Sequence, residues 1–165
     1  GWWSTDCNIN RLDKTERVSI RETSNETKAI TTQNINGMTQ TVFLLTFDDS
    51  AGLTLGNATI SGGALTITSG SQTTCTTSTS ILDSNPTSFE ARAKGAELNI
   101  SYYQVSNDGG ITGLNTTDTQ YSLINDLDKI FTFSASNKNI QIKIVLNSDA
   151  TFITPRLESF TFLVK

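Results

Sequence analysis

A period of two is the feature that most limits what this chain can fold into. Ile140-Gln141-Ile142-Lys143-Ile144-Val145-Leu146, Ala64-Leu65-Thr66-Ile67-Thr68 and Phe89-Glu90-Ala91-Arg92-Ala93 each set apolar against polar or small residues in near-strict alternation. Successive side chains of a strand point to opposite faces, so such a run buries one face and leaves the other wet. No stretch repeats apolar residues at helical spacing over three turns, and only Asn125–Lys129 hints at a single helical turn. Turn-forming clusters separate the runs: Asp48–Gly52, Gly56-Asn57, Ser61-Gly62-Gly63, Ser106-Asn107-Asp108-Gly109-Gly110, Asn137–Asn139 and Asn147–Ala150. This pattern predicts an all-β fold, an antiparallel two-sheet sandwich of about nine or ten strands.

Composition supports that reading. The 165 residues fit one domain, or one domain with an appendage. Hydrophobic residues make up 36% and charged residues only 17%; Thr, Ser, Asn and Gly fill the difference. Disordered chains replace apolar residues with charge and proline, whereas this one has 2 prolines and many β-branched residues, which suit a half-buried pleated surface.

The chain divides at residue 41. Residues 1–40 hold much of the charge and too few apolar side chains for a core, and read as an arm, a hairpin or the end of a preceding domain. Within them Val18–Thr23 alternates, Ser24–Thr27 resembles a turn, Lys28–Ile35 reads as a returning strand, and Asn36-Gly37 marks a further turn. Residues 41–165 carry the regular pattern of the sandwich. The Ser/Thr/Gln tract from Gly70 to Ser80 fits an exposed strand or a loop. Leu98–Val105 reads as one strand, which sends Leu98, Ile100 and Tyr102 inward and Tyr103 outward. The chain starts without Met and is read as a piece of a longer protein.

Several function classes are disfavoured. The net charge is -4 with a pI near 4.7, and no segment concentrates Lys or Arg, so neither nucleic acid nor anionic lipid is an expected partner. No apolar run approaches the ~20 residues of a membrane-spanning helix. There is no histidine, which removes the commonest general base, the Ser-His-acid triad and nearly every catalytic zinc site. Paired carboxylates among Asp48, Asp49, Glu90, Glu97 and Asp108 are the remaining catalytic option. Surface charge is the commoner role for such residues, and no catalytic activity is expected. No cofactor is expected either; Asp48, Asp49, Asn107 and Asp108 are the oxygen donors for a structural calcium, although their spacing matches no calcium loop. Cys7 and Cys75 are read as free thiols or as one long-range disulfide. Four Asn-x-Ser/Thr triplets, at Asn25, Asn57, Asn99 and Asn115, are taken as chance in so Asn- and Thr-rich a chain.

Phe47-Asp48-Asp49-Ser50 through Gly62-Gly63-Ala64-Leu65-Thr66-Ile67, then Ser106-Asn107-Asp108-Gly109-Gly110, then Ile140–Leu146 followed by Ser148-Asp149 and Thr154–Phe160 resemble jelly-roll modules of phage tail and virion proteins and bacterial surface proteins. The resemblance spans roughly 41–165. A Trp usual after the Asp-Gly-Gly turn is replaced by Ile111-Thr112-Gly113-Leu114. The resemblance implies a jelly-roll-like sandwich in a non-catalytic tail, fibre or decoration domain, homo-oligomeric and in contact with other virion or surface-protein subunits. Its expected location is the virion or the extracellular surface. Trp2 and Trp3 are the expected interface residues. The competing reading is a carbohydrate-binding module of a bacterial secreted enzyme or adhesin, with surface glycans held by Tyr103, Asn107, Asp108 and Arg156.

Overall fold

The computed structural model describes residues 28–35, 38–106, 119–133, 137–149 and 153–165. Thirteen strands run through them: Lys28–Ile35 (β1), Met38–Leu45 (β2), Leu53–Gly56 (β3), Ala58–Ser61 (β4), Ala64–Ile67 (β5), Gln72–Thr77 (β6), Ser80–Ile81 (β7), Ser88–Ala96 (β8), Tyr102–Ser106 (β9), Tyr121–Ser122 (β10), Phe131–Thr132 (β11), Asn139–Asn147 (β12) and Arg156–Val164 (β13). Every pairing is antiparallel. The expected all-β class and two-sheet, jelly-roll-like sandwich are what the chain adopts.

The first sheet is organised around β13. One side of β13 pairs with β8 along its length, and the other pairs with β2 and then with β5. β1 extends this sheet beyond β2, β4 lies beyond β5, and β11 beyond β8. The second sheet runs β10-β9-β12-β6-β3, with β7 also on β12. The strand expected over Lys28–Ile35 is β1, and β2 starts at Met38, so this sheet runs through the boundary drawn at residue 41.

Burial follows the alternation. β12 turns Ile140, Ile142, Ile144 and Leu146 inward, all at 0% exposure, and β13 buries Leu157, Phe160, Phe162 and Val164 against them. Phe89 lies at the centre of an aromatic set, 5.1 Å from Phe162 and 4.9–5.5 Å from Tyr121, Phe131 and Phe133 between ring centroids. Such offset and edge contacts add to the area buried by the rings.

Four local readings differ from the sequence expectation. The Thr-rich tract is β6, a strand held between β12 and β3 with Thr73, Cys75 and Thr77 buried. Its inward hydroxyls are satisfied by main chain: Thr73 Oγ1 donates to the Gly56 carbonyl at 2.5 Å, and the Ile142 N–H donates to Thr77 Oγ1 at 3.0 Å. Gly56-Asn57 is not a tight hairpin turn. It is a corner, with Asn57 at φ 54, where the chain leaves β3 in the second sheet and enters β4 in the first. Leu98–Ser101 is a turn closed by Ser101 N–H to the Leu98 carbonyl at 3.1 Å, so β9 begins only at Tyr102. Residues 123–128 form turns and bends, with no helical turn at Asn125–Lys129.

Gly95 shows how tightly the first sheet is knit. It faces Leu157 where the β8–β13 register shifts, and a Cβ there would lie 2.2 Å from the Arg156 carbonyl oxygen.

Candidate functional site

Of the four residues expected to hold a ligand, Tyr103 is fully buried. Its ring packs on Tyr121 and Phe160, at 5.2 Å from each, and its hydroxyl donates to the Asp126 carbonyl at 2.9 Å. Burial, with the charges of Asp126 and Tyr121 behind it, raises its pKa far above the usual phenol value. The outward position read for Tyr103 is therefore corrected. Counting alternation from Leu98 carried the phase through a turn, and the turn resets it. Arg156 belongs to the other sheet, where its guanidinium donates to the Gly62 carbonyl at 3.0 Å and braces the β4–β5 turn. Asn107, Asp108, Trp2, Trp3 and Cys7 lie outside the described residues. The structure does not bring Tyr103 and Arg156 together as a site.

Three of the candidate carboxylates accept hydrogen bonds within the fold. Asp48 accepts from Thr46 Oγ1 at 2.9 Å, Asp49 from the Ala51 N–H at 2.9 Å, and Glu97 from the Thr154 N–H at 3.1 Å. Glu90 occupies a half-buried position on β8. Among the described residues no group of three or more Asp, Glu, Cys or His is placed to hold a metal ion. Cys75 is a free, buried thiol, and desolvation raises its pKa to about 12.

The arrangement that offers chemistry to a ligand is the outer face of the second sheet. Register aligns two rows across it. One is Thr54, Thr76, Lys143 and Gln104; the other is Gly56, Thr74, Val145, Tyr102 and Ser122. At the usual inter-strand spacing the second row spans about 19 Å. Val145 and Gln104 form a buried floor at 1% and 0% exposure, Tyr102, Lys143, Thr74 and Thr76 are half-buried around it, and Thr54 is exposed. At one end Gln72 and Asn147 bind each other, Nε2 to Oδ1 at 2.9 Å. At the other, Gln141 donates Nε2 to the Thr77 carbonyl at 3.1 Å while its buried Oε1 accepts nothing.

Tyr102 is the distinctive member. The chain has three tyrosines. Tyr103 is locked in the core, and Tyr121 is packed against Phe89, Phe131 and Tyr103 with its hydroxyl on Thr119. Tyr102 makes no ring contact and no hydroxyl hydrogen bond among the described residues, and neither do the hydroxyls of Thr54, Thr74 and Thr76. The described strand residues of this face include no carboxylate and one cation, Lys143. Sequence reasoning missed this face because the Thr-rich tract was left open between an exposed strand and a loop, and the Tyr pair was read in the wrong phase.

Fold and surface together define a two-sheet antiparallel sandwich with a hydroxyl- and amide-bearing outer face. No protein-family model and no curated protein matches the chain. Two solved structures are similar to it. One is CBM35 from Paenibacillus barcinonensis, with a TM-score of 0.42 and 10% identity, covering 68% of this chain and 93% of that one. The other is a family two carbohydrate esterase from Cellvibrio japonicus, with a TM-score of 0.43 and 14% identity, covering 76% of this chain and 34% of that one, so the chain spans about a third of that protein's length.

Proposed function

We propose that this chain is a non-catalytic, extracellular carbohydrate-binding module that takes an uncharged glycan on the outer face of its second sheet. The observation that carries the proposal is Tyr102: a half-buried ring with no partner among the described residues, on the same sheet face as Thr74 and Thr76 of β6 and Thr54 of β3, whose hydroxyls are likewise unpaired among the described residues. A sugar presents an apolar C–H face and a rim of hydroxyls, which a tyrosine face and short hydroxyl and amide side chains complement. The near absence of charge on the face favours a neutral ligand, because a buried unpaired charge would weaken binding.

The virion role suggested by the jelly-roll motifs has a weaker footing. Their residues serve the fold. Phe47 is buried at φ 55, Gly62 and Gly63 take the positive φ of a two-residue hairpin turn, and Asp149 Oδ1 accepts the Ile153 N–H at 2.8 Å. Packing and turn residues of this kind carry no information about a partner.

A glycan array followed by calorimetry tests the proposal. Binding to neutral oligosaccharides is expected, with Tyr102→Ala weakening it at least about tenfold and Thr76→Val weakening it a few-fold. No glycan bound, or affinity indifferent to Tyr102→Ala, would overturn it.

A further inference from the structure

The groups left open on the outer face of the second sheet lie across its strands, while the amides above and below them are engaged. On one side Gln72 and Asn147 bind each other, Nε2 to Oδ1 at 2.9 Å; on the other Gln141 donates to the Thr77 carbonyl at 3.1 Å. Between them Tyr102 on β9, Val145 on β12, Thr74 on β6 and Gly56 on β3 stand in one register row. Among the described residues the hydroxyls of Tyr102 and Thr74 have no partner. Gly56 is the unexpected member of this row, because glycine weakens a strand. Its backbone does not require glycine, since its φ lies outside the left-handed region. A Cβ there would lie 2.6 Å from Thr74 Oγ1 and, apart from its chain neighbours, would meet no other residue within 4 Å. The missing side chain therefore leaves room around the Thr74 hydroxyl, and a bare strand position suits the close approach of a ligand.

We infer that the ligand of this face is an extended stretch of linear glycan laid across β9, β12, β6 and β3, one sugar to a strand, with Tyr102 under one end and the Thr74 hydroxyl beside Gly56 at the other. The inference rests on the carbohydrate-binding reading and adds the length and direction of the ligand to it. Tyr102 and Gly56 are three strand spacings apart, about 14 Å. A pyranose is a ring of bonds of about 1.5 Å, and a straight chain of them repeats at roughly the strand spacing. A single sugar on Tyr102 would leave the Thr74 hydroxyl without a ligand partner, whereas a tetrasaccharide reaches both. A β-1,4-linked chain is straight enough to follow the row; an α-1,4-linked chain coils away from it.

Calorimetry on the full chain with β-1,4-linked gluco- and manno-oligosaccharides tests this, with α-1,4-linked gluco-oligosaccharides as the bent control. Affinity for a β-linked series should rise at least about tenfold from disaccharide to tetrasaccharide, and less than about twofold from tetrasaccharide to hexasaccharide. The α-linked series should show no such rise. Thr74→Val keeps the side chain's shape and removes its hydroxyl, and Gly56→Ala crowds that hydroxyl. Each should weaken tetrasaccharide binding about fivefold and disaccharide binding less. Circular dichroism and thermal melts matching the parent would show that these variants fold. A disaccharide bound as tightly as the tetrasaccharide, or equal losses at both lengths in the two variants, would overturn the inference; loss of binding in Tyr102→Ala would still uphold the carbohydrate-binding reading. Hits on a glycan array with neither β-linked series bound would also sink the inference alone. A chain that binds no glycan at all removes both.

Discussion

The two faces of the second sheet are built from the same strands, yet they hold opposite kinds of side chain. Inward, β12 presents Ile140, Ile142, Ile144 and Leu146, β6 presents Cys75, and β9 presents Tyr103, all without exposure. Outward, the same strands present Gln141, Lys143, Thr74, Thr76 and Tyr102, with Gln104 and Val145 as the floor between them. The neighbours Tyr102 and Tyr103 make the contrast sharpest. The Tyr103 ring packs on Tyr121 and Phe160 and its hydroxyl bonds the Asp126 carbonyl, whereas among the described residues the Tyr102 ring and hydroxyl have no such partner. A residue already engaged on every side stabilises the protein and has nothing left for a ligand.

Truncation should separate the two faces most strongly. Tyr103→Ala removes a fully buried ring and its hydrogen bond to the Asp126 carbonyl, and is expected to cost about 3–5 kcal/mol in urea unfolding. Tyr102→Ala should cost less than about 1 kcal/mol. Comparable losses at the two positions would break the comparison.

Alkali tests the inner face next. Desolvation raises the Cys75 thiol from 9.0 to about 12, and the Tyr103 phenol is raised as well. Both groups hold their protons more tightly in the native state than in the unfolded chain. Their stabilising contribution is therefore complete below about pH 9 and is lost as pH climbs from there toward 12. Unfolding free energy should fall by a few kcal/mol across that window. A flat profile would show that neither group is sealed from water. In the native state Cys75 should resist thiol reagents at neutral pH.

Cys75→Ser probes the same inner face more gently. It puts a hydroxyl where the thiol has no polar partner, and about 1–3 kcal/mol of destabilisation is expected in the same assay. The smallest effect belongs to the outside of the first sheet. Arg92→Ala breaks a 2.9 Å pair with Asp128 whose side chains are 72% and 68% exposed, and should change stability by less than about 1 kcal/mol.

Much of the fold was legible residue by residue. β12, β13, β8 and the turn at Gly62-Gly63 follow from alternation and from glycine's tolerance of positive φ, both local properties. The site was legible only in part. The alternation showed that one of Tyr102 and Tyr103 points inward and the other outward, but which of them does depended on where β9 begins. Ser101 settles that start: its N–H closes the turn onto Leu98, and its Oγ accepts the Asn147 N–H at 3.0 Å, a bond across 46 residues of sequence. Arg156 was singled out as a polar residue near a turn, and the structure uses it to hold that turn.

Sequence alone determined that the chain would build strands, which ones would be most apolar on one side, and that chemistry based on histidine was absent. Those conclusions rest on residue type and on the two-residue repeat, and neither needs a partner. Only the tertiary structure decided that β3 and β4 part company at Gly56-Asn57, that the Thr tract becomes an interior strand, and which Tyr ring stays on the outer face. Each depends on which distant strand pairs with which, and the period of two is the same whichever neighbour a strand finds.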